Sequence, residues 1–225
     1  MEGSLVEVYA LTETGAFPIS AYTSEFETNI DAELSGRDIN NDGLPEIVLS
    51  TFRGGNSWES QYIQVFKILP TGEMKELTIE HPEDVVLQGL EDIDKDGTYE
   101  IIGLDTHWEY KFGLCHACSP AVMKIYIWQE GKYVDGSKKF SKIYDEEISK
   151  LESRLPGFSS RENYIGDVIS ILLNYIQKGE DAKGWARFKT LTDRREFHNK
   201  KSARWIQKIG ADIKTYYVEY NGKGK

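Results

Sequence analysis

One pattern occurs twice in this chain and restricts its possible folds more than any other feature. DINNDGLPEIVLST begins at Asp38 and DIDKDGTYEIIGLD at Asp92, an offset of 54 residues. Around these copies lie three related stretches: VEVYALTETGAF from Val6, IQVFKILPTGEM from Ile63 and MKIYIWQEGKYV from Met123. They align Val8 with Val65 and Ile125, Tyr9 with Phe66 and Tyr126, and Gly15 with Gly72 and Gly131. Each is an apolar run closed by a glycine-containing turn and a second short run, which predicts a β-hairpin. The order hairpin, polar loop, strand, hairpin, polar loop, strand, hairpin therefore fills residues 5–135. Self-similarity at such a period marks stacked supersecondary units, each burying its apolar face on the next.

The polar loops carry the chemistry. In the second, Asp92, Asp94 and Asp96 stand at positions 1, 3 and 5, spaced so that a tight wrap brings their oxygens to one point. Gly97 at position 6 permits the backbone angle the wrap needs. The carbonyl of Thr98 at position 7 then turns inward, and Glu100 at position 9 returns a carboxylate from the start of the next strand. The first loop repeats the scheme with Asp38, Asn40, Asp42, the carbonyl of Leu44, and Glu46. An all-oxygen, partly flexible cage suits calcium, which takes six to eight hard ligands; zinc and copper prefer nitrogen and sulfur, and magnesium resists dehydration. Two calcium ions are expected. The loops are not EF-hands: position 12 is Leu49 or Gly103, and the following EIVLS and EIIGL read as strands.

The pattern D-x-[DN]-x-D-G-x-x-[DE] followed by an aliphatic residue resembles FG-GAP/VCBS repeats, found in integrin α-subunit propellers and many bacterial surface proteins. The resemblance covers about residues 5–135 and is most specific in the two loops. It implies blades of a β-propeller braced by calcium in a secreted or cell-surface protein. The ligands it implies are Asp38, Asn40, Asp42 and Glu46, and Asp92, Asp94, Asp96 and Glu100.

Residues 141–225 read differently. Apolar positions Ile143, Tyr144, Ile148, Leu151 and Leu155 predict a helix over 142–155 that stops at Pro156-Gly157. A Ser159–Glu162 capping box opens a second helix, striped by Ile165, Val168, Ile169, Leu172, Leu173 and Ile176, with Gly179 past its end. A third carries Trp185, Phe188 and Leu191, and a fourth runs from about Ser202 with Trp205, Ile206, Ile209, Ile213, Tyr216 and Tyr217 on one side. The predicted class is α+β: an antiparallel, blade-like partial propeller over 1–140, then a small helical bundle over 141–225. Either the helices cover the open edge of the incomplete propeller or a partner chain completes it.

Charge follows the same division. Residues 1–140 hold 10 Lys+Arg against 25 Asp+Glu, and residues 141–225 hold 17 against 12. The acidity of the first part argues against nucleic acid as its partner. The basic run Arg194, Arg195, His198, Lys200, Lys201 and Arg204 reads as a solvated helix face or a dock for acidic surface. No apolar stretch of about 18 residues predicts a membrane span. The start MEGSLVEVYA lacks a basic region and an apolar core, so the chain reads as cytoplasmic, or as the mature form of an exported protein.

A second constellation is Cys115-His116-Ala117-Cys118, with His107 and Trp108 upstream. This C-x-x-C spacing fits a small disulfide loop, two plain thiols, half of a zinc site, or a redox pair. The resulting functional expectation is an extracytoplasmic binding or adhesion-type module with structural calcium, acting on a protein or carbohydrate ligand and possible as a homo-oligomer. The alternatives are a redox or zinc enzyme using the Cys115–Cys118 loop, and a cytosolic interaction protein.

Overall fold

The computed structural model describes residues 3–80, 84–158, 160–194, 197 and 199–223. Among these described residues ten strands and four α-helices follow in order. The strands are β1 (Ser4–Thr12), β2 (Gly15–Ser24), β3 (Glu27–Ile30), β4 (Glu46–Phe52), β5 (Gln61–Ile68), β6 (Met74–Glu76), β7 (Val85–Glu91), β8 (Glu100–Asp105), β9 (Val122–Gln129) and β10 (Lys132–Asp135). The helices are α1 (Ser141–Arg154), α2 (Arg161–Gln177), α3 (Asp181–Thr192) and α4 (Lys200–Lys223). Among the described residues the fold is α+β, with antiparallel sheets and no closed barrel. Among the described residues no helix is long and apolar enough to cross a membrane.

Three sheets form in the first part: the hairpin β1-β2, a four-stranded sheet ordered β3-β4-β5-β6, and a four-stranded sheet ordered β10-β9-β8-β7. Each of the three aligned sequence stretches is a hairpin, namely β1-β2, β5-β6 and β9-β10. The sequence pattern missed the strand before each polar loop. β3 and β7 supply it, so each full sheet is strand, loop, strand, hairpin.

Alternation along the strands explains the stacking, because neighbouring residues point to opposite faces. Val48, Ile63 and Val65 join Leu87, Ile101, Tyr126 and Tyr133 in one buried cluster. Ile47, Leu49 and Phe66, one step out of phase, pack instead with Val6 and Tyr22 of the hairpin. The β3–β6 sheet is therefore covered on one face by β1-β2 and on the other by β7–β10. The fully buried Ile101, at 0% exposure, is a typical contributor. Burying such a side chain is worth about 1.5–3 kcal/mol.

The chain divides into two compact units: Met1–His107 with Ala121–Phe140, and Trp108–Pro120 with Ser141–Lys225. The segment 108–120 thus groups with the helices, for a reason its aromatic residues make clear. Trp108 packs edge-on to Tyr216 at 4.9 Å, and Trp205 Nε1 donates to the Phe112 carbonyl at 3.0 Å. Within the helical unit, α2 is the central element, with Ile165, Val168, Ile169, Leu172 and Leu173 all fully buried. Its cap is Ser160, whose hydroxyl accepts from Asn163 N at 3.4 Å. The Ser159 position expected for that role, and Arg195 and His198 of the basic run, lie outside the described residues.

Candidate metal centre

Both polar loops join paired strands, β3 to β4 and β7 to β8, and both are wound by their own side chains. In the first, Asp38 Oδ1 accepts from Asp42 N at 3.1 Å and Asp38 Oδ2 from Gly43 N at 2.9 Å. Asn40 Oδ1 accepts from Asp42 N at 3.0 Å, and Asp42 Oδ1 from Leu44 N at 3.1 Å. The second loop repeats this skeleton: Asp92 Oδ2 accepts from Gly97 N, Asp94 Oδ1 from Asp96 N, and Asp96 Oδ1 from Thr98 N, at 3.2, 3.3 and 2.7 Å. Gly43 and Gly97 each sit at φ +89°, where a side chain is strained.

The wrap brings carboxylates together. Asp38, Asp42 and Glu46 place ligand oxygens within 4.8 Å of one another, as do Asp92, Asp94 and Glu100. Either group could hold a metal ion. Asp96 lies outside the tight second group. Asn40 is buried in the first loop, its Nδ2 donating to Glu46 Oε1 at 3.2 Å. Leu44 and Thr98 occupy matching loop positions.

Glu46 and Glu100 close the two clusters from the first residue of β4 and of β8. They are 0% and 3% exposed. Each accepts one backbone hydrogen bond at 2.9 Å, from Ile39 N and Ile93 N respectively. Burial pushes both carboxyls up to about 7 despite those bonds, and the neighbouring aspartates add to the rise. Asp92 Oδ1 is buried without a hydrogen-bond partner. Lys67 Nζ stands 3.5 Å from Asp42 Oδ2 and relieves part of the charge at the first cluster. Among the described residues no lysine or arginine reaches ion-pair distance of the second. Crowded oxygens, buried at the two glutamates and solvent-accessible at the aspartates, with one orphaned acceptor and so little positive charge, suit a cation: one ion would neutralise the carboxylates and fill the unmet acceptor.

The two loops also touch, a contact that their spacing along the chain does not reveal. Asn41 Nδ2 donates to Thr98 Oγ1 at 3.0 Å, Tyr99 N to the Ile39 carbonyl at 2.8 Å, and Tyr133 OH to the Tyr99 carbonyl at 3.0 Å. Burial, with Glu46 and Glu100 behind it, pushes the Tyr133 hydroxyl well above its usual range. Another feature found only in three dimensions is the burial of two charged residues, Asp105 and Lys124, at 0% and 1% exposure. Burial raises the Asp105 carboxyl and the Lys124 charge opposes that rise, while Lys124 itself pairs with Asp135 at 3.5 Å and Asp105 Oδ2 has no hydrogen-bond partner.

The remaining candidates separate. His107 belongs to the sheet unit, where its Nδ1 lies 2.8 Å from Asp84 Oδ2. Cys115, His116 and Cys118 belong to the helical unit. The two cysteines are joined in a disulfide, which leaves no thiolate there for zinc. His116 Nδ1 lies 2.5 Å from Glu109 Oε1. No protein-family model, curated protein or solved structure matches the chain.

Proposed function

We propose that the chain is a calcium-binding module of extracytoplasmic binding or adhesion type, with one structural calcium in each polar loop. The observation that carries this reading is the repeated all-oxygen cluster closed by a buried glutamate, Glu46 in one copy and Glu100 in the other. Asp38, Asn40, Asp42 and Glu46 would hold the first ion, joined by the Leu44 carbonyl. Asp92, Asp94 and Glu100 would hold the second, with Asp96 and the Thr98 carbonyl completing the shell. Calcium is preferred over magnesium because the donors are numerous and the loop is not a rigid octahedral cage. The ion's role is structural: it ties the strand before each loop to the strand after it.

One feature bears on the ligand. On the β1-β2 hairpin Leu5, Tyr9 and Leu11, at alternate positions of β1, are exposed, an apolar row of the kind that marks protein interaction sites. A protein ligand is therefore favoured over a carbohydrate.

Thermal melts of the full chain in chelator and in millimolar calcium test the proposal. Calcium at about 100 times its dissociation constant adds roughly 2.7 kcal/mol per site, so the midpoint should rise by several degrees. Identical midpoints would remove the structural ion from the account.

A further inference from the structure

The Cys115–Cys118 bridge closes a ring of only four residues, because its sequence separation is 3. A ring that small restrains the unfolded chain far less than a long loop would, so global stability is a poor explanation for it. The turn it spans is also held without it. Cys118 N donates to the Cys115 carbonyl at 3.0 Å and Ser119 N to the His116 carbonyl at 3.1 Å. Ser119 Oγ donates to the Cys115 carbonyl at 2.9 Å and accepts from Tyr110 N at 2.8 Å. The dithiol form can therefore keep the same backbone, and interconversion of the two forms needs little rearrangement.

The two cysteines are not equivalent. Cys115 is exposed, whereas Cys118 is half-buried and its carbonyl oxygen lies against α2, only 2.0 Å from where a Cβ on Gly166 would stand. Between them His116 is anchored by Glu109, whose side chain is 9% exposed. His116 is thus one of the two residues the bridge spans. Exposed disulfides are the labile ones, and their exchange depends on access to one sulfur and on the departure of the other.

We infer that Cys115–Cys118 is a reversible thiol–disulfide exchange site for small thiols of the glutathione class, entered at Cys115. A thiolate attacks Cys115 Sγ, forming a mixed disulfide and breaking the Cys115–Cys118 bond. Cys118 leaves with the electron pair and takes up a proton. A second thiol attacks the mixed disulfide and releases the oxidised thiol, so Cys115 in turn becomes a protonated thiol. The bridge gains two electrons and two protons, and two external thiols become one disulfide. This site is independent of the polar loops and stands or falls separately from the calcium reading.

The test equilibrates the calcium-loaded full chain with glutathione at varied ratios of reduced to oxidised form, then alkylates and weighs it. The bridge should open and re-form reversibly under native conditions. Cys118→Ser should accumulate a glutathione adduct on Cys115, and Cys115→Ser should accumulate much less on Cys118. A bridge that yields to millimolar glutathione only after denaturant is added would overturn the inference, as would a reduced protein that no longer folds. Equal adducts on the two single-cysteine variants would overturn entry at Cys115.

Discussion

In the calcium-free protein, stability should fall as pH rises from 5 to 7.5, opposite to the behaviour of carboxylates held in ion pairs. The cause is the pair Glu46 and Glu100, raised from about 4.5 to about 7 by burial and by the adjacent aspartates. Between those values the folded chain keeps a proton that the unfolded chain has released. The unfolded state therefore binds fewer protons, and unfolding becomes easier with each step in pH. One pKa unit corresponds to about 1.4 kcal/mol, so each group costs on the order of 3 kcal/mol once the pH has passed its folded value. The stability is complete below about pH 4.5 for these two groups and is lost through about pH 7. Both side chains are nearly inaccessible to solvent, so screening offers little relief. Urea unfolding of calcium-stripped protein at half-unit pH steps measures the slope, and Glu46→Gln and Glu100→Gln should each remove about half of it. Saturating calcium should flatten or reverse it, because the ion requires the deprotonated form. A flat profile without calcium, or the same slope with and without it, would refute the reasoning.

Other outcomes follow from the same structure. The second loop should bind calcium more tightly than the first, because it offers four carboxylates against three and lacks the Lys67 contact. Calorimetry on Asp42→Ala and Asp96→Ala checks the order: the site surviving in Asp42→Ala should be the tighter. Removing the inter-loop bond with Asn41→Ala and Thr98→Val should show a coupling of about 0.5–1.5 kcal/mol in a double-mutant cycle of calcium-loaded stability. Gly166→Ala should destabilise the helical unit by about 1–3 kcal/mol or more, since its Cβ would overlap the Cys118 carbonyl oxygen, as a shift in that unit's unfolding midpoint would show.

Much of the fold was legible because the repeat exposes its own period. Hairpins are local, and each aligned copy carried a glycine at the turn, so all three were found. β3 and β7 were not, because ETNI and VVLQGLE have no clean alternation and acquire their strand identity from pairing with β4 and β8. Helices striped by branched aliphatic residues, such as α2, were equally plain. The grouping of Trp108–Pro120 with the helices was hidden, because it depends on packing against α4, remote in sequence. At the loops the residue types and spacing pointed to the carboxylate clusters. The departure of Asp96 from the tight group and the Asn41–Thr98 bond arise from side-chain rotation and sheet stacking, which no spacing encodes.

The central claim is that two calcium ions bind, one at each loop, and isothermal titration of stripped protein with calcium tests it most directly. The account predicts two ions per chain, reduced to one by Glu100→Gln or by Glu46→Gln and to none by the pair, with magnesium a weak competitor. Absence of binding heat, or a stoichiometry unchanged in the doubly substituted chain, would contradict it.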